Sequence, residues 1–451
     1  MYLRNKNFLI KNETDRMLKK TVVAFLLIGI AIQVFAQEKT SKAVIKGFLD
    51  KRFGMFIHWG PVSLRGTEIG WSRGEQVNTA EYDSLYKEFD PVLFNADAIA
   101  KVAKDAGMKY LTITARHHDG FCLWPTTFTD YNIMHTPYKK DIVGALAQAC
   151  KKQGLKFCIY YSVLDWHHPD YPFHKPYSNE FDTTANMERY VIFMKNQLKE
   201  LITKYDPYML WFDGQWDSVW TEQMARDMYA YLKKLKPDVV TNNRLGKVMA
   251  GMGNETFDLS KMVGDYDTPE QIVGRMNMTM PWESSFTICQ QWSWKPNDKM
   301  KSLKECLSIL SQTAGGNGNL ILNVGPMPDG RIEARQITRL REIGDWLKIN
   351  GEAVYSTLGG PYEPNSNYAA TRKDNRVYLH VIKTDTSLIE LKNIPGRTIV
   401  RSYLINGQSV TIEKGSETFK VVLPVDRFNK IEYIIVLELD GSAETLPVIP
   451  R

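Results

Sequence analysis

Tyr208-Met209-Leu210-Trp211-Phe212-Asp213-Gly214 is an apolar run of strand length that closes on a carboxylate and a glycine. A buried parallel strand is apolar on both faces and delivers its last, polar residue to the rim of the sheet. Asp-Gly is also an ordinary turn dipeptide, and taken alone this ending reads as a turn. The segments around it change that reading.

Upstream, one unit occurs twice. Asn95-Ala96-Asp97 opens a helix with Ala98, Ile99, Val102, Ala103 and Ala106 on one face, and Gly107 stops it. Met108-Lys109-Tyr110 then leads into Leu111-Thr112-Ile113-Thr114. Asp141 opens the second, with Leu146, Ala149 and Cys150 on its face. Gly154 stops it, and Leu155-Lys156-Phe157 leads into Cys158-Ile159-Tyr160-Tyr161. A helix, a glycine stop and a buried strand make the repeating unit of a parallel α/β fold.

Around Asp213 the pattern continues. A helix from about Met187 to Lys204 precedes its strand, and another, marked by Met224, Met228, Tyr231, Leu232 and Leu235, follows it. Val239 to Arg244, Met262 to Tyr266, Ser285 to Ile288 and Leu320 to Val324 supply further strands. With the run Arg52 to Gly60 the strands number about eight, and a (β/α)₈ barrel is the economical architecture. From Tyr355 onward, short β-rich runs (377–381, 388–391, 399–404, 419–423, 431–437) alternate with turns, as in an antiparallel β-sandwich. The expected organisation is a barrel over 37–352 and a sandwich over 353–451.

Residues 1–36 read as a targeting segment rather than fold. Lys19-Lys20 precedes an apolar stretch from Thr21 to Val34, and Val34-Phe35-Ala36 before Gln37 resembles a small-residue cleavage site. The stretch is shorter than the ~20 residues that span a bilayer. A Sec-type signal starting at Met17, with 1–16 an upstream extension, implies a secreted or periplasmic protein with no membrane insertion after cleavage. Six basic and two acidic residues in this segment carry +4 of the formal +6, so the remainder is near neutral and carries no nucleic-acid footprint. The five cysteines show no CxxC spacing, and neither a disulfide framework nor a zinc site is signalled.

The ends of the expected strands collect one set of polar residues: His58 and Trp59; Arg116, His117, His118 and Asp119; Tyr160, Tyr161 and Ser162; Asp213; and Asn242, Asn243 and Arg244. In a barrel these ends share one face. Hydrogen-bonding rings among many tryptophans (Trp59, Trp71, Trp124, Trp166, Trp216, Trp292, Trp294) suit a sugar, whose C–H face stacks while its hydroxyls need directional partners. Glycoside cleavage requires two carboxyl groups. Asp213 is one, and Glu270 or Glu283, unranked by the residues alone, is the other; Asp119 is a third candidate, though His-Asp-Gly reads more like a turn that orients its neighbours. A metal-assisted hydrolase built on His117 and His118, and a glycan-binding protein without activity, are the rival readings.

Phe53-Gly54-Met55-Phe56-Ile57-His58-Trp59-Gly60, Arg116-His117-His118-Asp119-Gly120-Phe121, Tyr160-Tyr161-Ser162, Leu210 to Gly214, Asn243-Arg244, Pro281-Trp282-Glu283 and Leu322 to Pro326 resemble, in order, the blocks of the α-L-fucosidases of glycoside hydrolase family 29. The resemblance spans about Phe48 to Trp346. It implies a retaining exo-glycosidase that releases terminal α-L-fucose from fucosylated glycans, with no metal and no cofactor; β-galactosides, similar in ring stereochemistry, are the alternative substrates. It also implies Asp213 as nucleophile and Glu270 as acid/base, with Glu283 the second choice. His58, His117, His118 and Tyr161 fall on fucose-binding positions and Arg244 near the acid/base, with Glu68, Trp71 and Trp292 as further sugar contacts. This chain departs from the family pattern at Arg116, where a lysine is common, at Ile69-Gly70-Trp71, where Glu68 is displaced from the tryptophan, and at Gln291-Trp292-Ser293-Trp294.

Overall fold

Most of the longer helices start where a short polar side chain accepts from a free backbone N–H group, and the parallel strands follow them. The computed structural model describes residues 39–247, 262–424, 426 and 431–450; the expected signal segment lies outside them. Among the described residues, the helices of eight residues or more are α1 (Lys42–Leu49), α2 (Ala96–Asp105), α3 (Ile142–Gln153), α4 (Met187–Tyr205), α5 (Glu222–Leu235), α6 (Leu303–Gly315) and α7 (Ala334–Asn350). The side chains of Asn95, Asp141, Asn186, Thr221 and Ser302 cap α2 to α6, each cap worth roughly 0.5–2 kcal/mol.

Between them lie β1 (Phe53–Ile57), β2 (Tyr110–Arg116), β3 (Lys156–Ser162), β4 (Met209–Asp213), β5 (Val240–Thr241), β6 (Glu283–Thr287) and β7 (Asn319–Val324). They form one parallel sheet in the order β5-β4-β3-β2-β1-β7-β6. The sheet curls as a half-barrel. Phe56, Tyr110, Cys158, Tyr160, Met209, Trp211 and Ile321 pack together on its concave side. The residues of opposite parity, such as Met55, Leu111, Ile159 and Leu210, pack in the larger cluster that also holds the helix faces.

Two expectations are corrected at the sheet edges. The strand expected over Val239 to Arg244 pairs only at Val240–Thr241. Beyond it the Asn242 side chain takes the place of a backbone rung: Oδ1 accepts from Phe212 N and Nδ2 donates to Phe212 O, both at 2.8 Å. The strand expected at Met262 to Tyr266 is replaced by isolated parallel bridges, Asn242 to Tyr266 on one side and Asp267 to Trp282 and Glu270 to Ser285 on the other. Pro269, which has no N–H, interrupts any regular ladder there.

The C-terminal strands are antiparallel. A five-stranded sheet, β12-β15-β10-β9-β8, comprises Ile399–Leu404, Tyr433–Leu439, Arg376–Val381, Tyr368–Lys373 and Leu358–Gly359. A three-stranded sheet, β11-β14-β13, comprises Leu388–Lys392, Thr418–Val422 and Ile412–Lys414. Alternation sorts their faces. Val377, Leu379 and Val381 join Ile389, Leu391, Phe419 and Val421 in one apolar cluster. Tyr378, Ile434 and Val436 point the other way and join the large cluster of the parallel region. His380 shares that face, its Nδ1 2.8 Å from Ser311 Oγ on α6. The described residues from Thr40 onward form one compact unit.

Candidate active site

The parallel strands end together, and a pocket of about 100 Å³ opens over them, lined by Phe56, His58, Trp71, His117, Tyr160, Trp211, Asp213, Trp216, Arg244, Glu270 and Trp292. Asp213 is the last residue of β4. Gly214 follows at φ +88°, where a Cβ would stand 2.8 Å from Leu164 Cγ, so the chain can leave the strand here only as glycine. Asp213 Oδ1 accepts from Arg244 Nη1 at 3.0 Å and Oδ2 from the Tyr160 hydroxyl at 3.1 Å.

Arg244 is held on three sides. Its Nε donates to Thr268 Oγ1 at 2.9 Å, its Nη2 donates to Thr268 O at 3.1 Å, and the guanidinium lies 4.9 Å from the Trp211 ring centre. Its Nη1, already on Asp213, is also 2.8 Å from Glu270 Oε2. Two carboxyl oxygens on one nitrogen, at 3.0 and 2.8 Å, lie within about 6 Å of each other, short of the ~6.5–9.5 Å that separates the acids of inverting glycosidases. Burial lowers the basicity of the guanidinium, but Asp213 and then Glu270 outweigh it and hold the charge.

The histidines are neutral hydrogen-bonding rings. Burial is the first cause of low pKa in all three, bringing His58 and His118 to about 3 and His117 well below the usual value. Asn323 donates through Nδ2 to Trp292 O at 2.6 Å, which turns its Oδ1 toward His58 Nδ1 at 2.7 Å. The proton of His58 is therefore on Nδ1, and Nε2 is an acceptor. Ser162 Oγ donates to Leu164 O at 2.5 Å and accepts from His118 Nδ1 at 2.7 Å. His118 Nε2 is then an acceptor too, buried without a hydrogen-bond partner and 3.5 Å from Asp213 Oδ2. His117 stacks on Tyr160 at 5.2 Å and 7°, its Nδ1 also buried and unpartnered. Gly70, at φ +69°, passes so close that a Cβ would lie 2.9 Å from that nitrogen.

Of the residues named from the sequence, His58, Trp71, His117, Asp213, Arg244, Glu270 and Trp292 meet in the pocket, with His118 just behind. Tyr161 does not join them. Its hydroxyl donates to Gln197 Oε1 at 2.8 Å, and its ring lies 4.1 Å from the Arg116 guanidinium. Tyr160 takes the pocket side because Tyr160 pairs with Trp211 and Ser162 with Asp213, whereas Tyr161 pairs with Phe212 and faces the helices.

Glu68 is also outside the pocket. Its carboxylate accepts from Trp292 N at 3.0 Å, Ser293 N at 3.1 Å and Ile69 N at 3.3 Å, so it pins the segment that carries Trp292. Glu283 begins β6, at the end of the sheet away from the pocket. It is fully buried against the hydroxyls of Tyr110 and Tyr266, and burial pushes its carboxyl up to about 7. Asp119 accepts from the Tyr82 hydroxyl at 2.7 Å and from Phe121 N at 3.3 Å, which orients the His117-His118 turn. Tyr160 and Trp216, named from the sequence only within wider groups, and Trp211, not named there as a sugar contact, also line the pocket. Parity with Asp213 marks Tyr160 and Trp211 once strand pairing is known, whereas Trp216 sits on a loop and has no such signal.

A family model described as α-L-fucosidase matches residues 32–352. The tissue α-L-fucosidase of Bos taurus is 31% identical over 336 residues, covering 69% of this chain and 68% of that protein. α-L-Fucosidase isoenzyme 1 from Paenibacillus thiaminolyticus superposes with a TM-score of 0.79 at 31% identity, covering 88% of this chain and 99% of that one. A trapped covalent intermediate of a family 29 α-L-fucosidase from Bacteroides thetaiotaomicron, in complex with 2-fluoro-fucosyl fluoride, gives a TM-score of 0.80 at 29% identity, covering 90% and 98%. The chain spans between 66% and 80% of the length of eight curated relatives that it matches. On the family match, the chain identities and the shared architecture together, this chain belongs to the α-L-fucosidases of glycoside hydrolase family 29.

Proposed function

We propose that the chain is a retaining, exo-acting α-L-fucosidase in which Asp213 attacks the anomeric carbon while Glu270 protonates the departing glycosidic oxygen. Glu270 then takes a proton from water, which releases fucose with retained configuration. The observation that carries this reading is the single Arg244 nitrogen bonded to both carboxylates. It fixes the spacing of the two acids. His58 Nε2, His118 Nε2 and His117 offer hydrogen-bonding positions to sugar hydroxyls in a site too buried to tolerate their protonation. Trp71, Trp211, Trp216 and Trp292 supply apolar walls for the ring and its methyl group. Glu68 acts on this site by holding Trp292 in place.

The test is Asp213→Gly with added azide. The variant is expected to lose ~10³-fold or more in kcat, ~4 kcal/mol of barrier, and azide should restore turnover as a β-linked fucosyl azide. Turnover close to that of the unsubstituted enzyme would end the proposal.

The same reading extends to the architecture. We propose that residues 266–270, bridged to both edges of the seven-stranded sheet, close it as the eighth strand of a (β/α)₈ barrel. In this scheme 37–352 is the catalytic domain, and 353–451 is a β-sandwich whose two sheets share one apolar cluster. Residues 1–36 would act as a signal peptide, making the enzyme secreted or periplasmic. No helix among the described residues is long and apolar enough to cross a membrane. The natural substrate is a fucosylated oligosaccharide or glycoconjugate.

A further inference from the structure

Next to the catalytic pocket is a second, larger cleft of about 390 Å³, lined by Trp71, Trp166, Phe173, Tyr177 and Trp216, with Lys175, Ser178 and Asp217 among its polar residues. Trp71 and Trp216 line both cavities, so the two share a wall and lie side by side. Its size falls in the ~300–1,000 Å³ range of ligand sites. Trp71 is the hub of its wall: it stacks on Trp216 at 5.8 Å and 24°, meets Trp166 edge-on at 5.2 Å and reaches Tyr177 at 5.4 Å.

Two of these rings are wet. Tyr177 is 81% exposed and Trp216 45% exposed, an arrangement that leaves large apolar faces open to water beside a reaction centre. Tyr177 also holds a left-handed backbone at φ +53°, costly for a bulky residue and retained here by its loop. That loop is tied down from several directions. Arg73 forms a two-point ion pair with Asp83 and donates to His174 O, the Tyr171 hydroxyl donates to Asp217 Oδ2 at 2.6 Å, and Asp182 N donates to Pro172 O at 2.9 Å. A ligand stacking here would not have to order the wall first.

From this geometry, and resting on the fucosidase reading, we infer that the cleft formed by Trp71, Trp166, Tyr177 and Trp216 binds the leaving group as a neutral pyranose ring, stacked by its C–H face against Tyr177 and Trp216. Its hydroxyls would reach Lys175, Ser178 and Asp217. One cation and one anion at the rim favour an uncharged sugar over a sialylated or sulfated one. The enzyme is accordingly matched to oligosaccharides and not to bare fucosides.

The experiment compares kcat/KM for a trisaccharide carrying α-L-fucose on a lactose unit with kcat/KM for α-L-fucosyl fluoride, whose leaving group is a single atom. In Tyr177→Ala the ratio of trisaccharide to fluoride is expected to fall about tenfold, mainly through KM, and Tyr177→Trp should restore it. A ratio unchanged in a Tyr177→Ala protein of normal thermal midpoint overturns the inference while leaving the fucosidase reading intact. Failure of the unsubstituted enzyme to cleave either substrate overturns both.

Discussion

Asp213 accepts from Arg244 through one oxygen and from Tyr160 through the other, so each donor acts on the charge of the proposed nucleophile. A hydrogen bond to a charged group is worth roughly 1.5–3 kcal/mol. Tyr160→Phe is therefore expected to lower kcat/KM by about ten- to a hundredfold with little change in stability. Tyr161→Phe loses only the bond to Gln197, and it should cost ~1 kcal/mol in urea unfolding and leave kcat/KM within about twofold. Steady-state kinetics on the two variants separates the neighbours. From sequence alone both tyrosines end the same strand, and nothing local says which faces the pocket. Only the register against β4, which puts Tyr160 beside Trp211, decides it. Asp213 and His58 were legible because each directly ends an apolar run, and His117 and Arg244 because each lies in the polar cluster that closes a strand-like segment. Glu68 reads as a sugar contact until its carboxylate is found on the backbone of Trp292 and Ser293.

At the scale of the element, the His117-His118 turn rests on Arg116 at the end of β2. This guanidinium is fully buried, pairs with Asp165 at 3.2 Å and donates to Ser162 O at 2.6 Å and the Tyr190 hydroxyl at 2.9 Å. It thereby ties β2, β3 and α4 together behind the imidazoles. Replacing one partner of a buried pair leaves the other charge unpaired, at ~3–5 kcal/mol. Arg116→Met is expected to show a loss of that size in urea denaturation, and near-normal stability would contradict the role. Most elements were readable because caps and glycine stops are local signals: Asn95, Asp141 and Gly154 stand where the sequence puts them. The edge at β5 and the bridged segment 266–270 were not. There an asparagine side chain stands in for a backbone rung and a proline breaks the ladder, and neither follows from apolar periodicity.

Across the whole molecule, buried titrating groups pull stability in two directions with pH. Burial brings His58 and His118 to about 3 in the folded chain against an ordinary 6.5 and pushes His117 well below it, so the unfolded chain binds more protons as pH falls below 6.5. Their contribution is complete above that value and is lost toward pH 3. Glu283 is the opposite case: at about 7 against 4.5, the folded chain binds more protons between those values, and its contribution declines as pH rises through them. Between about pH 5 and 7 the three histidines outweigh Glu283, so the thermal midpoint should rise with pH up to about 7, and Glu283→Gln should steepen that rise by about one proton's worth of slope. An unchanged slope between about pH 5 and 7 in that variant would contradict the burial of a protonated Glu283. The central claim is that the curled sheet brings Asp213 and Glu270 together around one sugar, with Asp213 the residue that bonds to it. The direct measurement is mass spectrometry of peptides after incubation with 2-fluoro-fucosyl fluoride. One fluorofucosyl adduct per chain, on the peptide containing Asp213, is the predicted result; an adduct on another carboxylate, or none from an enzyme that turns over fucosides, would contradict it.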